Sequence, residues 1–166
     1  MFVSGSKITC MSVNTGKINL FLMLRLPSAF LCGVRLKQIS DISCTTNVRH
    51  RWINQNPFGS LYFAVQAMAA ELSTGALVLL AIRKNQGRFS MLVTGHTAVF
   101  SKKAKGIIAF SCNDGLRVSE AVAQAAASGE AQVLRLTSVG KDQQGDLVST
   151  MVFEWSIRKK LPLNAP

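Results

Sequence analysis

The sequence predicts an α+β chain: a curved antiparallel sheet of about six strands wrapped around one long central helix, plus an N-terminal helix and a short helix near residues 115–128. Three observations predict it. Residues 56–83 carry Ala, Leu, Met and Gln with apolar side chains on nearly every face, the pattern of a helix enclosed by other structure. Stretches alternating apolar and polar residues recur on both sides of it, most clearly at 44–52 and 146–158. The last of these follows a short Gly-bearing hairpin loop. A helix apolar all round needs cover on most sides, and a sheet that curls supplies it.

Residues 1–12 read as a flexible leader and 161–166 as a tail, with one domain over 13–160. A helix is expected over roughly 14–25, ended by Pro27. Its run Ile18–Leu24 resembles a short signal-peptide core, but Asn19 and Arg25 interrupt it and no small-x-small cleavage site precedes Pro27. It is also shorter than the ~20 apolar residues a bilayer requires, so it reads as an amphipathic helix covering something apolar. Residues 33–40 alternate weakly, with Asp41 at a tight turn. In 44–52, Cys44, Thr46, Val48, His50 and Trp52 share one face and Thr45, Asn47, Arg49 and Arg51 the other; the two segments form a hairpin. Asn56 is placed to cap the long helix with Pro57 at its first position, and Gly75 allows a kink near Ser73–Gly75. Asn85-Gln86-Gly87 turns the chain into a strand over 88–100. Lys102–Gly106 is a basic turn, 107–113 a strand, and Asp114 caps a helix over 115–128 closed by Gly129. Strands 131–139 and 146–158 finish the chain; Leu147, Ser149, Met151, Phe153, Trp155 and Ile157 share one face of the last. An open sheet leaves an edge that a second copy would cover, so a homo-oligomer, a dimer or a dimer of dimers, is expected.

Composition narrows the function. At 48% hydrophobic and 16% charged residues, the chain is not intrinsically disordered. Nineteen Lys and Arg against eight Asp and Glu, a formal charge of +11, favour an anionic partner. The basic residues form small clusters, Arg83-Lys84, Lys102-Lys103-Lys105 and Arg158-Lys159-Lys160, and the aromatics lie in apolar runs rather than among them, which argues against nucleic acid. Cys10, Cys32, Cys44 and Cys112 show neither a C-x-x-C pair nor metal spacing, and His50 and His96 lack a second ligand nearby. No resident metal or cofactor is expected. Free thiols in a reducing, cytoplasmic setting are, with Cys44 and Cys112 as small buried hydrophobes.

One side chain breaks the central helix's pattern. Glu71 is the only acid between Asp41 and Asp114, and Ala67, Met68, Thr74, Gly75 and Val78 lie about one turn away. A carboxylate there loses water and has no local cation. It must find a partner across an interface, take up a proton, or stand ready for chemistry.

Asn56-Pro57-Phe58-Gly59-Ser60-Leu61 followed by Ala69-Ala70-Glu71-Leu72 resembles the helix motif of hotdog-fold acyl-CoA thioesterases of the phenylacetate-pathway type. It is closer to an uncharacterised branch of that superfamily, which shows Asn-x-x-Gly-Ser-Ile-His-Ala and Leu-Ala-Glu-Leu. The N-terminal helix ending at Pro27, the Lys102–Gly106 turn and the terminal Trp155-Ser156-Ile157-Arg158 strand fit that branch, so the resemblance covers roughly residues 15–160. It implies the hotdog fold and hydrolysis of an acyl-CoA or similar thioester. The helix carboxylate that acts as general base or nucleophile matches Glu71. The backbone N–H that polarises the carbonyl falls at Phe63, with Tyr62 where a His is usual. The loop amide matches Asn56, and Thr74 is nearest to the hydroxyl that positions the carboxylate. For substrate, Gly59 and the cations Lys102, Lys103, Lys105 and Arg83 are the candidates, the cations for coenzyme A phosphates. Where the family has His-Gly-Gly, this chain has Tyr62-Phe63-Ala64, and its hydroxyl is displaced by one residue. A non-catalytic acyl or acyl-CoA binding protein is therefore the second reading.

Overall fold

The long helix organises the molecule, but it starts later than its sequence suggests. In the computed structural model, which describes residues 15–85 and 87–160, the elements are α1 (Thr15–Arg25), α2 (Pro27–Leu31), β1 (Arg35–Ile39), β2 (Cys44–Arg49), a 3-10 turn (Trp52–Asn54), α3 (Phe63–Lys84), β3 (Phe89–Phe100), β4 (Ile107–Cys112), α4 (Gly115–Ser128), β5 (Gln132–Lys141) and β6 (Leu147–Lys159). The strands form one sheet in the order β1-β2-β4-β5-β6-β3, antiparallel throughout. Its inner face packs on α3. This is the hotdog arrangement the sequence led us to expect.

Alternation explains which side of the sheet meets the helix. Cys44, Thr46 and Val48 of β2 are buried, as are Met151, Phe153, Trp155 and Ile157 of β6. On α3, Ala69, Ala70, Ser73, Gly75 and Ala76 keep the contact surface low, so the strands come close. Hydroxyls fasten the two layers: Thr46 Oγ1 donates to the Ala69 carbonyl at 2.7 Å, and Ser73 and Ser138 hydroxyls meet at 2.8 Å. By length and composition α3 could cross a bilayer, but 67% of that window is buried within the protein, so it is a core helix.

The two edges of the sheet are treated differently. Asn19 on α1 donates its Nδ2 to the Leu36 carbonyl and accepts from the Leu36 N–H, both at 3.0 Å, and so mimics a neighbouring strand against β1. The residue that interrupts the apolar run of α1 is thus the one that docks it, with Leu22 buried beneath. β3, at the other edge, has no strand beyond it among the described residues and exposes Leu92, Val99 and Phe100.

Several expectations are corrected. Asn56 does not cap α3. Its Oδ1 accepts from the Phe58 and Ser60 N–H groups, and the Gly59 N–H bonds the Asn56 carbonyl, so residues 56–60 form a side-chain-closed turn. Pro57 suits the second position of such a turn as well as it suits a helix start. The helix assignment of α3 runs unbroken through Gly75. Strand β2 ends at Arg49, and Trp52 lies on the 3-10 turn, 83% exposed, rather than on the inner face. Leu147 is 43% exposed at the mouth of the β5–β6 hairpin. Asp114 occupies the first-cap position of α4 without a side-chain cap; its carboxylate accepts from the Thr137 N–H of β5 and from Arg117. The leader, the tail and Cys10 lie outside the described residues.

Candidate active site

The start of α3 opens into a cleft of about 500 Å³. Asn56, Phe58 and Ser60 line it from the turn, Phe63 and Gln66 from α3, and Phe100 through Ala104 from the end of β3 and the basic turn. Tyr62 is the N-cap residue by position but provides no side-chain cap, so the first N–H groups of α3 keep the partial positive charge of a helix N-terminus. The Phe63 ring is 53% exposed and packs edge-on against Tyr62 and Phe100, with centroids 5.0 and 6.5 Å away. These rings give the cleft an apolar wall. Asn56 reaches it with a side chain already committed, since its Nδ2 donates to Ser60 Oγ at 3.1 Å. Gly59 sits at φ +69°, a value that suits glycine in the turn.

Glu71 lies eight residues along α3 from Phe63, about 12 Å away at ~1.5 Å per residue. Its Oε1 is 3.1 Å from where a Cβ on Gly75 would stand, and two indole carbons of Trp155 approach the same point at 3.1 Å. The absent side chain at 75 therefore makes room for a carboxylate pressed toward an aromatic wall. Burial pushes the Glu71 pKa up from its ordinary value. No ion pair reaches it among the described residues. Thr74, expected to orient the carboxylate, does something else. Its Oγ1 donates to the Glu71 main-chain carbonyl at 2.9 Å and accepts from Trp155 Nε1 at 3.1 Å. The hydroxyl holds the wall rather than the acid.

The cations separate. Lys103 lines the cleft. Lys102 lines it too, but its ammonium is held by Asp142 at 2.5 Å and Asp146 at 2.6 Å across the β5–β6 hairpin. Lys105 is exposed beyond the cleft lining. Arg83 is at the far end of α3, about 30 Å from Phe63 at ~1.5 Å per residue, so the structure does not bring it to this cleft. Cys32, Cys44 and Cys112 are free, and Cys44 and Cys112 are buried. Burial raises the thiols of Cys44 and Cys112 to about 12 and about 11, so both remain protonated and inert at neutral pH. No cluster of His, Cys, Asp and Glu among the described residues could hold a metal ion.

A family model described as a domain of unknown function, DUF4442, matches residues 17–157. The chain belongs to this family. Solved structures share the fold at low identity. A Pseudomonas aeruginosa protein of unknown function, described as a probable thioesterase, is 22% identical with a TM-score of 0.76 over 90% of this chain and 99% of its own. A Chlorobaculum tepidum protein of unknown function is 13% identical with a TM-score of 0.74 over 88% and 94%. A Haemophilus influenzae thioesterase is 10% identical with a TM-score of 0.67 over 92% and 96%. No curated protein matches the chain significantly.

Sequence reasoning missed part of this DUF4442 site. Gln66, Phe100 and Ser101 join the cleft without any motif to mark them, and Ser60 joins it from within the Asn56–Leu61 motif without having been singled out. Gln66 was discoverable: it is the one amide within the apolar run, and its side chain bridges the Leu61 carbonyl and Ser149 Oγ, tying the start of α3 to β6. Trp155 carried a signal through its alternation and its place in the terminal Trp155–Arg158 motif, which put it on the inner face but not against residue 71.

Proposed function

We propose that this DUF4442 domain hydrolyses a thioester, an acyl-CoA or a close relative, with Glu71 as general base or nucleophile. The observation that carries the reading is the half-buried Glu71 carboxylate beside Gly75 and Trp155, its pKa raised by desolvation and no ion pair reaching it among the described residues. The likeness of the fold to proteins described as thioesterases supports it. A carboxylate whose pKa is raised by burial is a better proton acceptor near neutral pH than an exposed one.

In the general-base route, Glu71 takes a proton from a water that attacks the thioester carbonyl. The oxyanion is met by the Phe63 N–H at the start of α3, where the helix dipole favours negative charge. Collapse expels the thiolate, which recovers the proton from Glu71, leaving carboxylic acid and thiol. The acyl chain lies along Phe58, Phe63 and Phe100. Asn56 places water or carbonyl, Tyr62 flanks the oxyanion donor, and Gly59 and Lys103 border the substrate.

The base and the oxyanion donor each need contact at roughly 3 Å with the reacting centre. Within one protomer they lie about 12 Å apart along α3 at ~1.5 Å per residue. The Glu71 carboxylate leans further toward Gly75, away from Phe63. The reading therefore includes a homo-oligomer in which Glu71 of one copy faces the helix start of another. The unpaired β3 edge with exposed Leu92, Val99 and Phe100 supports that assembly. A cytoplasmic setting belongs to the same proposal.

A second reading, acyl binding without turnover, is favoured by the Tyr62-Phe63-Ala64 run, whose side chains crowd the approach that a glycine pair leaves open. One experiment separates the two. Thiol release from a panel of acyl-CoA chain lengths is measured with the native chain and Glu71→Gln. Release by the native chain alone establishes the hydrolase. Equal release removes Glu71 from the mechanism, and saturable binding without release establishes the second reading.

A further inference from the structure

Arg35 of β1, Arg49 of β2 and Arg51 just beyond β2 form a cluster that no acid neutralises. Arg35, Asn47, Arg49 and Arg51 line a cleft of about 290 Å³ with Gly33 and Ile107. The register explains the convergence: Arg35 pairs with Asn47 and Arg49 with Ile107, and Asn47 and Arg49 alternate with buried Thr46 and Val48. All eight acidic side chains belong to the described residues, and none forms an ion pair with Arg35, Arg49 or Arg51.

The cluster is built rather than loosely gathered. Arg35 Nη1 donates to the Phe30 and Val34 carbonyls at 2.7 and 2.8 Å, and its guanidinium lies 3.6 Å over the Phe30 ring. That fixes the group while leaving its other N–H donors for the cleft. Gly33 has φ +87°, which favours glycine there, and the Arg51 guanidinium end lies over it in the space a Cβ would take. Asn54, 2% exposed, accepts from the Arg51 N–H at 2.7 Å and donates to the Cys32 and Arg49 carbonyls, both at 2.8 Å. One buried amide thus pins the main chain of two arginines against the 32–33 turn. Burial and repulsion from Arg51 lower the Arg35 pKa. Packing like charges together costs stability, and a bound anion offsets it.

We propose that this cleft binds a phosphate ester and, resting on the thioester reading above, that its occupant is the nucleotide end of coenzyme A. Guanidinium forks match phosphate oxygens bidentately, which fits a dianion better than a lone carboxylate. Lys102 is occupied by Asp142 and Asp146, whereas these arginines have no protein anion. The two clefts also share a segment: Ala104 lines the first and Ile107 the second, at most about 11 Å of chain apart. In this proposal one elongated ligand spans both.

The test has a binding arm and a kinetic arm. Calorimetric titration of the full chain with adenosine 3′,5′-bisphosphate and with inorganic pyrophosphate should give saturable binding that weakens as salt rises. The double variant R49Q/R51Q, both side chains exposed, should lose about tenfold or more in affinity, while Lys160→Gln, at the distant end of β6, should not. Absence of saturable binding, or equal loss in Lys160→Gln, overturns the site whatever the protein hydrolyses. In kinetics, R49Q/R51Q should raise KM for acyl-CoA with kcat retained, and leave S-acylpantetheine, which lacks phosphates, unaffected. Lost phosphate binding with unchanged KM for both substrates overturns the coenzyme A assignment in favour of a free phosphate ester. Intact bisphosphate binding in a protein that releases no thiol keeps the arginine site and removes the thioesterase reading.

Discussion

Glu71 and Asp114 are both acids on helices, and the structure uses them in opposite ways. Asp114, at the start of α4, is fully engaged. Its Oδ1 accepts from Arg117 at 3.0 Å and its Oδ2 from the Thr137 N–H at 2.9 Å, so the carboxylate joins α4 to β5. Glu71, in the middle of α3, is half-buried beside Trp155 and Gly75, with its pKa raised and no ion pair among the described residues. A charge that holds elements together is hydrogen-bonded to them; a charge that holds nothing costs stability and is retained for another reason. That contrast marks Glu71 for chemistry and Asp114 for architecture.

The largest effect should come from Glu71→Gln. Loss of a positioned proton acceptor should lower kcat/KM for the best acyl-CoA by about 10²- to 10⁴-fold. The same variant should not lose stability at neutral pH. The sign follows from the raised pKa: the folded state holds its proton more tightly than the unfolded chain, so the native protein loses stability as pH rises from the ordinary glutamate value, about 4.3, through the folded pKa. Glu71→Gln has no such proton, so the difference in Tm between the two should shift in favour of the variant over that window. Identical Tm-against-pH curves would show that the carboxylate is as well solvated as any surface glutamate. In kinetics, kcat/KM should rise as pH passes the raised pKa.

Gly75→Ala attacks the same site from its wall. The new Cβ would stand 3.1 Å from Glu71 Oε1 and from two Trp155 ring carbons, tighter than comfortable contact. Overpacking of this kind costs about 1–3 kcal/mol, against about 1 kcal/mol gained from helix propensity. Activity should fall more than stability does, because the carboxylate is the more mobile neighbour. Full activity with an unshifted pH profile would place the reacting carboxylate elsewhere. Asp114→Asn is the counterpart. It should cost about 1–2 kcal/mol in denaturant unfolding, since a charged acceptor is lost at Thr137 and Arg117. It should leave kcat/KM within about twofold.

How much of this was readable beforehand differs by element. The periodic segments were: β6 showed its inner face in Met151, Phe153, Trp155 and Ile157, and the apolar run of α3 implied its enclosure. The start of α3 was not. Asn56-Pro57 has the chemistry of a helix start and of a side-chain-closed turn alike, and tertiary contacts chose the turn: the Leu61 N–H bonds the Ala104 carbonyl and the Tyr62 N–H bonds Asn54. For the site, Glu71 stood out because an acid in an apolar run is locally anomalous. The fate of the cations was invisible, because Lys102 meets Asp142 and Asp146 forty and forty-four residues later. Arg49 and Arg51 could be placed on one strand face, but nothing in the chain between them and Arg35 announced that all three converge.

Thr74→Val makes the smallest change and tests the finest point of the contrast. Valine keeps the volume but removes both the donor to the Glu71 main-chain carbonyl and the acceptor for Trp155 Nε1. The buried indole N–H then lacks a partner, at a cost of about 1–2 kcal/mol. If the hydroxyl acted on the carboxylate, the loss would appear in kcat and in the pH profile nearly as strongly as in Glu71→Gln. Because it acts on the ring that walls the carboxylate, the Tm should fall while kcat/KM drops by less than about fivefold. A near-complete loss of turnover with unchanged Tm would return Thr74 to the acid and leave the Trp155 wall without a role.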